Sequence, residues 1–230
     1  MIAPPAALSV NEIFVSIQGE GAFIGAPTLF VRLAGCPLRC SWCDTPYALN
    51  ADSGVRIDVA QIAREAQGHR RIVITGGEPL VQDIRPLVEA LGSGHHITVE
   101  TSGTIFRDLP QVDLFSISPK IGSSGYRPKQ PALRKYCAAA AGRMQLKFVI
   151  ADDADLDEAL RCLDGLCDAL EKDTPVVLQP ESGRAGRGES YHAFLADLTD
   201  KVVADWRWRR FSVRVLPQLH VLLWGGQAGR

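Results

Sequence analysis

An excess of charge of either sign is the first thing this chain lacks: 25 Lys and Arg stand against 26 Asp and Glu in 230 residues, for a net charge of -1 and a pI of about 6.5. Binding a duplex by phosphate neutralisation needs a basic face, so nucleic acid is excluded as the expected direct partner. Long apolar runs are missing too. The longest are a few residues of Val, Leu, Ile and Phe, against the roughly 20 that cross a bilayer. The N-terminus has no basic segment followed by an apolar one, so no membrane partner is expected and the chain reads as cytoplasmic. Internal repeats and linkers are absent as well. With 46% hydrophobic and 22% charged residues, the composition is that of one soluble domain spanning 1–230.

Cysteine is sparse and unevenly placed. Of six, Cys36, Cys40 and Cys43 form a tight trio, and Cys137, Cys162 and Cys167 are scattered. Clustered thiols in a cytosolic chain bind metal or do redox chemistry rather than form structural disulfides. The scattered three sit among Ala and Leu in helical patterns and read as small buried hydrophobes.

From Leu29 onward, short β-rich runs alternate with helical patterns, which argues for a parallel sheet with crossover helices. The runs are Leu29 to Leu33, Arg71 to Thr75, His96 to Glu100, Leu114 to Ser118, Gln145 to Ile150, Val176 to Gln179 and Phe211 to Leu216. Several are continuously apolar, as in strands buried on both faces. Helical stripes appear at Val59, Ile62, Ala63 and Ala66, at Ile84, Leu87, Val88 and Leu91, and from Leu156 through Leu160 and Leu163 to Leu170. The connection from Thr101 to Asp113 contains Pro110 and leaves little room for a helix, so a regular eightfold barrel is not expected. The fold class is α/β, a partial and irregular barrel of about six parallel strands. Polar residues gather just after strand ends, where such folds keep their active sites. The segment from Glu181 to Glu189 reads as a mobile loop, and Gly225 to Arg230 as a frayed tail.

The loop Gly35-Cys36-Pro37-Leu38-Arg39-Cys40-Ser41-Trp42-Cys43-Asp44-Thr45 offers three thiolates, whereas structural zinc takes four ligands. Three thiolates hold three irons of a cubane cluster and leave the fourth iron open to a small molecule. The alternative is a zinc knuckle completed by His95, His96, His192 or His220, which would make the chain an interaction module; a third is an electron carrier.

The spacing Cys-x3-Cys-x2-Cys with an aromatic residue before the last cysteine resembles the cluster loop of radical S-adenosylmethionine (SAM) enzymes, and Gly76-Gly77-Glu78-Pro79 resembles their second motif. The upstream Glu12-Ile13-Phe14-Val15-Ser16-Ile17-Gln18-Gly19-Glu20-Gly21, Arg32, Asp44-Thr45 and Val215-Leu216-Pro217-Gln218-Leu219-His220 extend the likeness to the 7-carboxy-7-deazaguanine synthase family, from Glu12 to Gly225. A glycyl-radical activase would use the same cysteine loop but predicts a protein substrate. The resemblance implies a TIM-like barrel of the radical SAM type and a lyase acting on 6-carboxy-5,6,7,8-tetrahydropterin. It also implies a 4Fe-4S cluster on Cys36, Cys40 and Cys43, SAM, Mg2+ on Thr45, a flavodoxin- or ferredoxin-type reductant and a homodimer. SAM contacts would come from Trp42, Cys43, Asp44, Gly77, Glu78, Ser118, Pro119, Lys120, Gln179, Pro180, Glu181 and Ser182. Substrate contacts would come from Ile17, Gln18, Gly19, Arg32, Thr75 and Pro217. Glu100, Thr101 and Ser102 lie where the pocket is expected, with no role assigned. Without the likeness, Thr45 reads as a helix N-cap and the segments after strand ends as ordinary turns.

Overall fold

The computed structural model describes residues 6–183 and 190–225. The strands are β1 (Ala7–Ile17), β2 (Pro27–Leu33), β3 (Val55–Asp58), β4 (Arg71–Gly76), β5 (His96–Thr101), β6 (Leu114–Ile117), β7 (Met144–Ile150), β8 (Pro175–Pro180) and β9 (Ser212–Val215). They form one sheet in the order β3-β1-β2-β4-β5-β6-β7-β8-β9. From β2 to β9 every neighbouring pair is parallel, seven strands where about six were expected.

The sequence reading missed β1 and β3, which pair antiparallel, β1 with β2 and β3 with β1. Their signal is weak for physical reasons. Polar Asn11, Glu12 and Ser16 interrupt β1, whose register shifts between Val10 and Glu12. β3 is four residues long and largely exposed, and only Val55 and Ile57 mark an apolar face, too short a pattern to read.

The helices are α1 (Val59–Glu65), α2 (Arg85–Leu91), α3 (Gln130–Ala139), α4 (Asp153–Asp164), α5 (Tyr191–Ala204) and α6 (Leu219–Trp224). Stripes one and two become α1 and α2. The third stripe becomes α4 but stops at Asp164, where Gly165 follows; Leu166 is buried in the turns beyond. No helix separates β5 from β6, as the Pro110 segment suggested. The loop reading from Glu181 and the tail reading from Gly225 fall mainly on 184–189 and 226–230, outside the described residues. None of the described helices is long and apolar enough to cross a membrane.

Strand side chains alternate between two faces. One face supplies the core under the helices: Leu29, Val31 and Leu33 from β2, Ile72 and Ile74 from β4, Ile97 and Val99 from β5, and so on through Leu146, Phe148, Val176 and Leu178. The alternate positions, Arg32, Thr75, Glu100, Ser116, Lys147 and Gln179, line a single cavity. The strands are buried on both faces, as their apolar runs suggested, but the second face is mixed: Phe30, Val73, Val149 and Val177 are buried there together with polar Thr98, Ser116, Gln145 and Gln179. Desolvating such groups is tolerable only because they bond to one another, as Gln145 Nε2 does in donating to Ser116 Oγ at 2.8 Å.

Candidate active site

The cavity opens where β2, β4, β5, β6, β7 and β8 end, and the loops that follow them supply its rim. The cysteine loop follows β2. Its start is anchored by backbone bonds from Gly35 N to Ala48 O (2.9 Å) and from Cys36 N to Leu49 O (3.0 Å). Further on it is tied to the Gly122–Tyr126 turn after β6. Arg39 N donates to Tyr126 Oη at 2.8 Å, Ser41 N to Ser124 O at 3.2 Å and Trp42 Nε1 to Ser123 Oγ at 2.9 Å. Cys36, Cys40 and Cys43 are half-buried free thiols on the cavity wall. Burial pushes the Cys36 and Cys40 thiols up. Nearby Lys120, whose Nζ lies 5.2 Å over the Trp42 ring, works the other way.

The turn after β4 runs alongside this loop: Gly77 N donates to Leu33 O at 3.0 Å and Glu78 N to Gly35 O at 2.8 Å. A Cβ on Gly77 would lie 2.6 Å from Gly35 O and 2.8 Å from Cys36 Cβ, so this approach requires glycine. Glu78 follows in the same turn. Its side chain is fully buried and is not part of the cavity wall. Its Oε1 accepts from Thr101 Oγ1 at 2.7 Å, and its Oε2 accepts from Ser102 N at 2.8 Å and from Ser102 Oγ. Thr101 and Ser102, previously without a role, hold this carboxylate and themselves line the cavity.

On the opposite side, Arg32 rises from β2 beside Glu12 of β1. Arg32 Nε donates to Glu12 Oε1 at 2.6 Å, and Tyr47 Oη donates to the same oxygen at 2.8 Å. Burial, aided by Glu12, pushes Tyr47 up to about 12. The two Nη groups of Arg32 have no partner among the described residues, which leaves the fork of the guanidinium to an anion.

Deeper in, Gln18 donates from Nε2 to Glu100 Oε1 at 2.9 Å and accepts at Oε1 from Glu20 N at 3.1 Å. Glu20 is the hub of the floor. Its Oε1 accepts from Gln179 Nε2 (2.9 Å) and Gln218 Nε2 (2.7 Å), and its Oε2 accepts from Lys147 Nζ. Burial pulls Lys147 down to about 8, and the Glu20 carboxylate beside it opposes that pull. The Oε1 atoms of Gln179 and Gln218 are buried and unpartnered. His220 packs on Gly19, where a Cβ would lie 2.0 Å from its Nδ1, and burial lowers its pKa.

One cavity thus collects Ile17, Gln18, Gly19, Arg32, Cys36, Cys40, Trp42, Cys43, Asp44, Thr45, Thr75, Gly77, Ser118, Lys120, Gln179, Glu181 and Ser182. Glu78, Pro119, Pro180 and Pro217 lie off its wall. The two strand-end prolines are skipped because alternate residues point inward. At Pro217 the neighbour Gln218 takes the wall position, its N donating to Tyr191 Oη at 2.7 Å. Sequence reasoning passed over Lys147 and Tyr47, quoted Glu20 and Gln218 within motifs without a role, and considered His220 only as a zinc ligand. Lys147 carried the same signal as Arg32, a lone cation within an apolar strand.

The donor set suits the groups implied. Three free thiols face one cavity, and among the described residues no three His, Cys, Asp or Glu side chains converge on a point as ligands of a single ion would. Thr45 Oγ1 sits 3.2 Å from Asp44 Oδ1, an oxygen pair of the kind magnesium accepts.

A family model described as the Radical SAM superfamily matches residues 31–182, from β2 through the wall segment that follows β8. The chain belongs to that superfamily. Within it, curated relatives named 7-carboxy-7-deazaguanine synthase are similar along nearly the whole length. That of Halobacterium salinarum is 37% identical, covering 95% of this chain and 91% of its own, and that of Pyrobaculum aerophilum is 36% identical, covering 96% of each. The crystal structure of QueE from Escherichia coli superposes with a TM-score of 0.65 at 29% identity, covering 91% of this chain and 93% of that one. The family within the superfamily is 7-carboxy-7-deazaguanine synthase.

Proposed function

We propose that this chain converts 6-carboxy-5,6,7,8-tetrahydropterin to 7-carboxy-7-deazaguanine, contracting the ring and releasing ammonia. A 4Fe-4S cluster would be held by Cys36, Cys40 and Cys43, SAM by the neighbouring rim, and magnesium by Thr45. When bound, cluster and SAM together supply a carbon-centred radical that removes a hydrogen atom from the substrate. The observation that carries the reading is the convergence on one cavity of three free thiols, the Gly76-Gly77 turn and an arginine whose Nη groups are unpartnered.

The protein's contribution is placement. Arg32 would take the substrate carboxylate in bidentate fashion, with Glu12 fixing the plane of the guanidinium. Gly77 lets the second motif lie against Cys36, keeping the two ends of SAM in register with the cluster loop. Gln179 Oε1 and Gln218 Oε1 would accept N–H groups of bound molecules, since both amide nitrogens are committed to Glu20. Departure of ammonia requires a proton on the leaving nitrogen, and Lys147 Nζ and Lys120 Nζ are ammonium groups on the wall that could supply it. A flavodoxin- or ferredoxin-type reductant, assembly as a homodimer and a cytoplasmic location belong to the same reading through the family likeness.

The test is anaerobic loading with iron and sulfide, reduction with dithionite, and chromatography of products with SAM, magnesium and the carboxytetrahydropterin. Deazaguanine formed by the parent and lost in Cys43→Ala is the expected result. Deoxyadenosine without deazaguanine would reject the substrate, and a protein that takes up zinc but no iron would reject the radical chemistry.

A further inference from the structure

Two buried carboxylates lie outside the cavity and play no part in the chemistry above. Asp155 and Glu158 are in α4, where they are 1% and 7% exposed. Neither is idle. Asp155 Oδ1 accepts from Ser123 N at 3.0 Å and its Oδ2 accepts from Ala151 N at 2.8 Å. Glu158 Oε2 accepts from Gly122 N at 2.9 Å and from Arg127 Nη1. The turn they hold is the one that bonds to the cysteine loop: Ser123 Oγ accepts from Trp42 Nε1, Ser123 O from Ser41 Oγ, Ser124 O from Ser41 N, and Tyr126 Oη from Arg39 N.

We propose that Asp155 and Glu158 are positioning residues for the iron-sulfur loop, acting through the Gly122–Arg127 turn that clasps Arg39, Ser41 and Trp42 between the three cysteines. The physical need is plain. A loop of eight positions carrying three thiolates has little regular structure of its own; its ordering must come from a neighbour. Hydrogen bonds from backbone N–H to a buried carboxylate are strong and directional, so α4 transmits its rigidity to the turn and the turn to the loop. Trp42 is the most direct link, because its indole is bonded to Ser123 one residue before Cys43. The clasp touches no reacting atom; it sets how firmly the cluster is gripped and how well it is shielded from oxidants.

The inference rests on the cluster reading and is tested apart from activity. Asp155→Asn keeps the shape but turns one acceptor into a donor facing an N–H. Ser123→Ala removes only the partner of Trp42. Asp164→Asn, on the exposed face of the same helix where Asp164 bonds Arg210, is the matched control. Each protein is loaded with iron and sulfide, and three readouts are taken: iron per chain, the electron paramagnetic resonance spectrum of the reduced cluster, and the rate of bleaching in air. Loss of one buried bond shifts the balance between held and released loop about tenfold. The expected result is bleaching about tenfold faster, with an altered spectrum, in Asp155→Asn and Ser123→Ala, while Asp164→Asn follows the parent. Spectra and bleaching rates equal to the parent in both would overturn the proposal. If Asp155→Asn does not fold, Ser123→Ala decides between the same two outcomes. A parent protein that takes up no iron overturns the cluster reading and this inference with it, whereas an iron-loaded parent with indifferent variants overturns only the inference.

Discussion

Replacing Glu20 with Gln removes the charge from the floor of the cavity and leaves Lys147 as a buried ammonium without a counterion. Burial alone carries Lys147 from 10.5 to about 8, and in the parent the Glu20 carboxylate beside it opposes that fall. In Glu20→Gln burial acts alone. At about 1.4 kcal/mol per pH unit, the fall from 10.5 to about 8 corresponds to roughly 3 kcal/mol of lost stability near neutrality. That falls within the range of about 3–5 kcal/mol for breaking a buried pair by removing one partner. The amide at position 20 recovers part of it by still accepting from one of Gln179 and Gln218. The sign of the pH dependence follows from which state holds the proton. With its folded pKa depressed, Lys147 in the variant binds fewer protons folded than unfolded across the window from about 8 to 10.5, so stability rises with pH there. In the parent, Glu20 holds that proton more tightly and the rise is smaller. The gap between parent and variant should therefore be full below pH 8 and shrink toward pH 10. Urea unfolding of both proteins without metal, at several pH values from 6.5 to about 10, measures it. A gap that stays constant with pH, or one below about 1 kcal/mol at pH 7, would refute the assignment of Lys147 as a buried cation held by Glu20.

Three further predictions concern the rim. Arg32→Lys replaces a fork by a point charge, and KM for the carboxytetrahydropterin should rise about tenfold or more with iron content unchanged; an unchanged KM would remove Arg32 from carboxylate binding. Gly77→Ala puts a methyl 2.6 Å from Gly35 O and 2.8 Å from Ala48 O. Stability should fall by about 1–3 kcal/mol and iron per chain should drop, whereas an unaltered melting temperature would show that the two loops are not in the tight contact described. Glu78→Gln turns an amide N–H toward either Ser102 or Thr101; we expect a loss of about 1–3 kcal/mol in urea unfolding and a raised KM for SAM with that for the pterin unmoved. Equal effects on both KM values would mean that Glu78 supports the cavity as a whole.

The parallel part of the sheet was legible because its strands are written as compact apolar runs, and Ile72 to Ile74 or Phe148 to Ile150 admit few other readings. Its edge was not. β1 is anchored by Leu8 and Val10 but continues through Glu12 and Ser16, whose burial depends on partners that a local pattern does not reveal. The cysteine trio and the two glycines were legible as motifs because each is contiguous. By contrast, the partners of the Glu78 side chain, Thr101 and Ser102, lie 23 and 24 positions away, where no contiguous motif reveals them. Pro119, Pro180 and Pro217 were named with their neighbours and lie off the wall, a placement that depends on which side chains an extended segment turns inward.

That alternation also explains why stability and ligand binding occupy different residues of the same strands. Val31 and Arg32, or Leu178 and Gln179, are adjacent in sequence yet face the core and the cavity respectively. A buried polar wall survives only if its groups satisfy one another, and most do: Gln18 with Glu100, Gln145 with Ser116, Lys147 with Glu20. The exceptions are therefore informative. Among the described residues, the two Nη groups of Arg32 have no hydrogen-bond partner on the cavity wall, and Gln179 and Gln218 have buried carbonyl oxygens without one. A wall that offers both donors for an anion and acceptors for N–H groups suits the carboxylate and the amino-rich ring of the proposed substrate.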